Sequence, residues 1–205
     1  MSAIIIAGGV SKRFGQDKGL VKLAEKPLVL HVLDKLESVA NDVVVVVNSR
    51  IQKEKFAKTI KKRARIVIDS KNVQTPLVGA LAGFEAVQTD YALLLPCDTP
   101  FLFPNLLSFL FEVCVNKAAA IPRWPNGNIE PLHSAYRAKI AAEAARSVLS
   151  DQRFDLRAMI TEMGNIRYIS TIVLRSFDPK LRTFLNINTP GDLSIAENMI
   201  RPGSF

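Results

Sequence analysis

The stretch Ala3-Ile4-Ile5-Ile6-Ala7-Gly8-Gly9-Val10-Ser11-Lys12-Arg13-Phe14-Gly15-Gln16-Asp17-Lys18-Gly19-Leu20 decides how the rest of the chain is read. Residues 3–7 are apolar without alternation, the pattern of a strand covered on both faces, as in a parallel sheet. A glycine-rich loop follows directly. Glycines let the backbone turn and approach a ligand closely, and free N–H groups in such a turn form a nest for an anion. Lys12, Arg13 and Lys18 bring three cations into the same loop, so the segment describes an anion site of triphosphate size. It is not a Walker A loop, which needs Gly-Lys-Ser/Thr at a set spacing, nor the G-x-G-x-x-G dinucleotide fingerprint. The plainer alternative is a glycine-rich connection with solvated basic residues; the strand before it and the clustered cations favour phosphate.

Outward from this loop the same β-then-α alternation continues. Further short apolar runs at residues 43–47, 65–68, 92–96, 118–121 and 167–171 read as strands, with a short one near Phe184. Helical patterns fill residues 27–40, 52–62, 77–88, 104–116, 137–149, 156–163 and 190–199. Apolar strands alternating with helices predict a Rossmann-like, three-layer α/β fold: a mostly parallel central sheet with helices on both faces. A chain of 205 residues makes one such domain, with a nucleotide-binding half near 1–100 and an acceptor-binding half near 101–205.

Ligands in such folds bind beyond the carboxyl ends of the strands, so the residues there carry the functional reading. Asn48 follows the second run; it reads first as a turn or cap into Gln52, and second as a donor–acceptor contact to a base or ribose. Asp69 follows the third run, as a helix cap or a nucleoside contact. Pro96-Cys97-Asp98-Thr99-Pro100 follows the fourth. A carboxylate held between prolines suits Mg²⁺, which binds through one or two carboxylates plus substrate phosphates; the other reading is a cap before residue 104. Thr189 and Pro190 read as an N-cap and first helical proline. They leave Asn186 and Asn188 unexplained, and in an extended segment both point to one side.

At 48% hydrophobic and 22% charged residues, a disordered or fibrous chain is excluded. No apolar run is long enough to span a bilayer, and residues 3–7 lack the basic start of a secretory signal. Cys97 and Cys114 read as buried thiols in a reducing cytoplasm. Only two histidines occur, which excludes a His-rich metal site; His31 reads as structural and His133 as a satisfied structural histidine. The net charge of +8 raises nucleic acid or a membrane surface as a partner. Between residues 51 and 65, however, seven Lys/Arg face one Glu, so this window alone holds +6. Its only aromatic, Phe56, reads as a core stripe with Ile51 and Ile60. A solvated face with no stacking platform is expected, and neither nucleic acid nor membrane as partner.

The motifs together resemble the molybdenum cofactor guanylyltransferases, within the sugar-nucleotide-type nucleotidyltransferase superfamily. That family's loop runs Leu-Ala-Gly-Gly, three variable residues, Arg-(Phe/Met)-Gly-x-Asp-Lys-Gly-Leu, and stands here as Ile6 to Leu20. Pro96 to Pro100, Asn186 to Pro190, Pro76-Leu77-Val78-Gly79 and Glu130-Pro131-Leu132-His133 complete the set. The resemblance implies Mg²⁺-dependent transfer of GMP from GTP to a molybdopterin phosphate with release of pyrophosphate. Ile6, Ala7, Gly8, Gly9, Asn48, Asp69 and Gly79 would then contact the nucleotide. Lys18 and Arg13 would neutralise its phosphates, Asp98 would hold the metal, and Asn186 and Asn188 would face the acceptor. No general base is needed, since the attacking phosphate oxygen is already ionised near neutral pH. Apo-molybdoenzymes or cofactor-insertion proteins are the implied protein partners, and a monomer or weak homo-oligomer the implied state. Arg137, Arg153 and Arg157 are candidates for an anionic pterin. Thr75 stands where the family often has glycine. Sister activities use CTP, or a cobinamide or phospholactate acceptor; Gly8-Gly9 favours guanine over the Ala-Ala-Gly of the cytidine relatives.

Overall fold

The computed structural model describes residues 1–200 apart from Gly9, Lys12, Ser70, Lys71, Asn72 and Gln74, and gives Val10 and Ser11 as backbone only. Gly9 and Lys12 of the anion loop therefore lie outside the described residues. In chain order the main elements are β1 (Ser2–Ile6), α1 (Leu28–Leu36), β2 (Asp42–Val47), α2 (Arg50–Ile60), β3 (Arg65–Ile68) and α3 (Pro76–Ala86). Then come β4 (Tyr91–Pro96), α4 (Pro104–Cys114), β5 (Ala119–Arg123), β6 (Ser134–Arg137), α5 (Ala138–Ser150) and α6 (Leu156–Met163). The chain closes through β7 (Ile166–Ser170), α7 (Thr171–Leu174) and α8 (Pro190–Ile200). Two two-stranded hairpins, Val10–Ser11 with Gln16–Asp17 and Lys22–Leu23 with Lys26–Pro27, lie between β1 and α1.

The seven strands form one sheet in the order β7-β5-β6-β4-β1-β2-β3. All neighbours pair in parallel except β6, which is antiparallel to both β4 and β5. Side chains alternate across the sheet. Ile5, Val45, Leu93 and Leu95 pack with Val32, Leu36, Phe56 and Leu107 of α1, α2 and α4 on one face. Ile4, Val44, Val46 and Leu94 pack with Leu77, Phe84, Ala145 and Met159 of α3, α5 and α6 on the other. Each fully buried side chain of this size contributes roughly 1.5–3 kcal/mol, so both helical layers are held by the central strands. The expected doubly covered, mostly parallel sheet is what the chain forms.

Two expectations fail locally, and one strand was not foreseen. The short strand near Phe184 is a 3-10 turn, Arg182–Phe184, entered through Leu181 at a φ of 50° and tied by the Thr183 N–H to Asp178 Oδ2 at 2.7 Å. The antiparallel β6 was hidden in the sequence: it is four residues long, ends in polar residues, and runs directly into α5. Ile51 is 68% exposed rather than part of the α2 core stripe. The stripe at i, i+4, i+8 is Gln52, Phe56 and Ile60, all buried. The basic window is a surface face as expected, with Arg63 paired to Asp34 and Glu37 and Arg65 to Asp42. Among the described residues no helix is long and apolar enough to cross a membrane.

Helix α3 lies close against β1 because Gly83 has no side chain: a Cβ there would sit 2.3 Å from Ile4 Cγ2. Gly83→Ala should therefore destabilise the fold by about 1–3 kcal/mol through overpacking. Chemical denaturation checks this, and an unchanged midpoint would contradict the packing described.

Candidate functional site

The parallel register brings the ends of four strands level. Ile6 pairs with Val46 and with Pro96, and Val47 with Ile68. The ladder extends one residue further on three strands. Ala7 N–H donates to Val46 O at 2.8 Å, Cys97 N–H to Ile6 O at 3.1 Å, and Asp69 N–H to Val47 O at 2.9 Å. Strand order reverses between β1 and β4, the switch point where crevices open in such sheets. A cavity of about 330 Å³ lies there, and its walls include Ile6, Gly8, Lys18, Asn48, Asp69 and Asp98, with Thr75 and Pro76 from the start of α3. Sequence reading picked those first six from four separate loops, and the fold gathers them.

Lys18 is the centre of this cluster. Its ammonium forms an ion pair with the buried carboxylate of Asp98 and donates to Asn188 Oδ1. Residues of three distant motifs thus meet at one nitrogen. The closing motif is seated by Ile187, which is fully buried in a small core with Val21, Leu23, Leu28 and Ala196. The Ile187 N–H donates to Asp98 O at 3.0 Å. Asn186 and Asn188 flank Ile187 and are both exposed, as an extended segment requires. Only Asn188 reaches Lys18. Asp192 Oδ2 accepts from the N–H groups of Asn188 and Thr189, both at 2.9 Å, and the Asp192 N–H donates to Thr189 Oγ1 at 3.1 Å. Those amides hold the Asp192 carboxyl below its ordinary pKa, and Thr189 is the cap expected.

Asn48 and Asp69 are not helix caps. Ser49 caps α2, its hydroxyl accepting from the Gln52 N–H at 3.2 Å, and Thr75 caps α3. The Asn48 side chain instead donates to Gly8 O across the cavity floor. Asp69 is buried, and its Oδ1 has no hydrogen-bond partner among the described residues. Burial pushes its pKa above the usual carboxylate value. Asp69 also lines the cavity, and a buried acceptor left without a partner calls for an explanation. Gly79 stands behind this wall: a Cβ on it would meet Ile6 at 3.4 Å and Asp69 Oδ2 at 3.8 Å.

Other expected residues are not brought in. Ala7 is packed in the core, and Arg13 is exposed and outside the cavity wall. Arg137 is a correction: antiparallel β6 places it opposite Tyr91 at the amino end of β4, the far edge of the sheet. Arg153 is paired with Asp151 and Glu162. Arg157 lines a separate groove with Arg123, whose guanidinium lies 5.6 Å over the Tyr168 ring. His133 is buried with no hydrogen bond at either ring nitrogen among the described residues, its Nδ1 lying 3.9 Å from Glu130 Oε2, so it is not the satisfied histidine expected; burial pushes its pKa down to about 3 and keeps it neutral. His31 is structural, its Nε2 lying 2.9 Å from Leu23 O. Both cysteines are buried, unpaired thiols with raised pKa values.

Sequence reading missed Asp17 and Gln52, two buried polar residues bonded to each other at 2.6 Å beside the cavity. The signal was present in the i, i+4, i+8 spacing of Gln52 with Phe56 and Ile60, hidden by the preference for Ile51. As to a metal, no cluster of three His, Cys, Asp or Glu exists among the described residues. Asp98 is a hard oxygen donor in the cavity wall, which fits a divalent ion whose shell is completed by ligand phosphates and water.

The MobA-like NTP transferase domain matches residues 3–166. A probable molybdenum cofactor guanylyltransferase of Methanosarcina mazei is 34% identical over 97% of this chain and 89% of its own length. One from Pyrococcus horikoshii is 32% identical over 94% of this chain and 97% of its own. The crystal structure of molybdopterin-guanine dinucleotide biosynthesis protein A from Archaeoglobus fulgidus superposes with a TM-score of 0.83 at 27% identity, covering 97% of this chain and 98% of that one. A Thermus thermophilus 2-C-methyl-D-erythritol 4-phosphate cytidylyltransferase, at 17% identity and a TM-score of 0.71 over 97% of each chain, shares the fold.

Because Asp69 has a raised folded pKa, the native state binds the proton more tightly than the unfolded chain, and its charge weighs against folding as pH rises through that value. Asp69→Asn removes this penalty. The ligand-free variant should melt above the wild type at pH 7, the gap closing as pH falls toward the ordinary carboxylate value of 3.8. A variant that melts lower at pH 7 would contradict the burial described.

Proposed function

This chain belongs to the MobA-like NTP transferase family, and we propose that within it the protein is a molybdenum cofactor guanylyltransferase. It transfers GMP from GTP to the phosphate of molybdopterin and releases pyrophosphate. The observation that supports this most is the meeting of Lys18, Asp98 and Asn188 at the carboxyl ends of β1 and β4, beside a cavity that also presents Asn48 and Asp69.

In this reading Gly8, Asn48 and Asp69 hold the nucleoside, the carboxylate and amide offering acceptors and a donor to ribose or base. Lys18 lies against the α-phosphate, and Arg13 serves the outer phosphates from the loop's exposed side. Asp98 holds Mg²⁺, which when bound neutralises phosphate charge. An oxygen of the pterin phosphate attacks the α-phosphorus; the new P–O bond forms as the bond to pyrophosphate breaks. The attacking oxygen is already anionic, so the protein's task is to place two anions in line and offset their repulsion. Lys18 does the second directly, exchanging its Asp98 and Asn188 partners for phosphate oxygens. Asn186 and Asn188 border the acceptor, which approaches from the half formed by residues 101–205, while the nucleotide occupies that formed by 1–100. The same reading puts the protein in the cytoplasm.

Incubation with GTP, Mg²⁺ and purified molybdopterin should yield the GMP adduct and pyrophosphate, with CTP, ATP and UTP poor substitutes. A preference for CTP would reassign the nucleotide. Asp98→Ala and Lys18→Met should each lower kcat by about 10²-fold or more; full activity in either variant removes that residue from the mechanism.

A further inference from the structure

We propose that Gln52 is a positioning residue that holds the phosphate-side loop and the nucleoside-side loop of the cavity in fixed relation; this rests on the nucleotide reading above. Gln52 is 3% exposed and occupies the apolar stripe of α2 between β2 and the hairpin loop. An amide in such a place is costly unless both ends are bonded, and both are. Its Oε1 accepts from the Asn48 N–H at 2.9 Å, and its Nε2 donates to Asp17 Oδ1 at 2.6 Å. Asp17, 4% exposed, receives Lys55 Nζ on its other oxygen at 3.1 Å. Asp17 is the residue before Lys18. Gly19, just after it, lies flat on the same helix, where a Cβ would stand 3.0 Å from the Phe56 ring. Toward the other side, Asn48 carries the bond to Gly8 O.

One helical side chain therefore grips both the segment that carries Lys18 and the backbone that carries Asn48. The two loops touch the opposite ends of a nucleoside triphosphate, so their spacing sets how well the nucleotide fits, and a regular helix keeps that spacing better than the loops could. The position needs one acceptor and one donor, which glutamine supplies and ionised glutamate does not. In Gln52→Glu the Asn48 bond survives, but a carboxylate meets Asp17. Adding Asp17→Asn restores a donor across the pair with the polarity reversed.

The test compares GTP binding by calorimetry and steady-state transfer in wild type, Gln52→Glu and the Gln52→Glu/Asp17→Asn pair, with melting curves recorded alongside. The single variant should bind GTP about tenfold more weakly with the pterin KM within about twofold of wild type, and the pair should recover to within about threefold. Wild-type GTP affinity in Gln52→Glu overturns the proposal, as does a loss that Asp17→Asn fails to rescue, since damage to the fold alone would not follow the donor–acceptor pattern. Should Gln52→Glu not fold, Gln52→Met, which keeps the bulk and lacks both bonds, is held to the same tenfold loss. A wild type that binds no GTP overturns the nucleotide reading and this inference with it; an active wild type whose variants bind GTP normally overturns this inference alone.

Discussion

A lysine ammonium and a carboxylate from loops eighty residues apart are held together at the carboxyl ends of the parallel strands β1 and β4, and the contacts around the cavity keep them there. Lys18 and Asp98 have side-chain exposures of 20% and 8%. Removing two charges from water this far carries a desolvation cost that attraction alone offsets poorly. The pair is supported by Asn188, which accepts from the ammonium, and by an approach through the level ends of β1 and β4. A pair so placed gives little to the fold. In the proposed reaction its worth lies in a partly desolvated cation held where phosphate charge would arrive.

Keeping that contact in place requires several independent anchors. The segment before Lys18 is bonded to helix α2 through Asp17, Gln52 and Lys55. The segment before Asn188 is seated by Ile187 in a small core shared with the hairpin that follows the loop. The Ile187 N–H then closes the triangle on the carbonyl of Asp98. Lys18 and Asn188 are thus each held by buried contacts of the residue before them, Asp17 and Ile187.

Much of this was legible from residue types and spacing. Uninterrupted apolar runs such as Val43 to Val47, alternating with helical patterns, point to strands covered on both sides, and in a parallel sheet that puts Gly8, Asn48, Asp69 and Asp98 at the same end of their strands. Asn188 could be inferred from its spacing with Asn186, but its bond to Lys18 spans most of the chain and has no local signal. β6 escaped notice because four residues with polar ends carry no period. Arg137 was misjudged for the same reason, since its place depends on a strand direction that composition does not encode. Gln52 escaped because a polar residue on a helix is read as solvent-facing until its partners are known.

On the function proposed above, Asp98 and Lys18, paired in the free protein, are pulled apart by a metal-bound nucleotide. GTP affinity measured by calorimetry with and without Mg²⁺, in wild type and in Asp98→Asn, tests it most directly. Mg²⁺ should tighten GTP binding in the wild type and have little effect in the variant. Equal Mg²⁺ dependence in both proteins would contradict it.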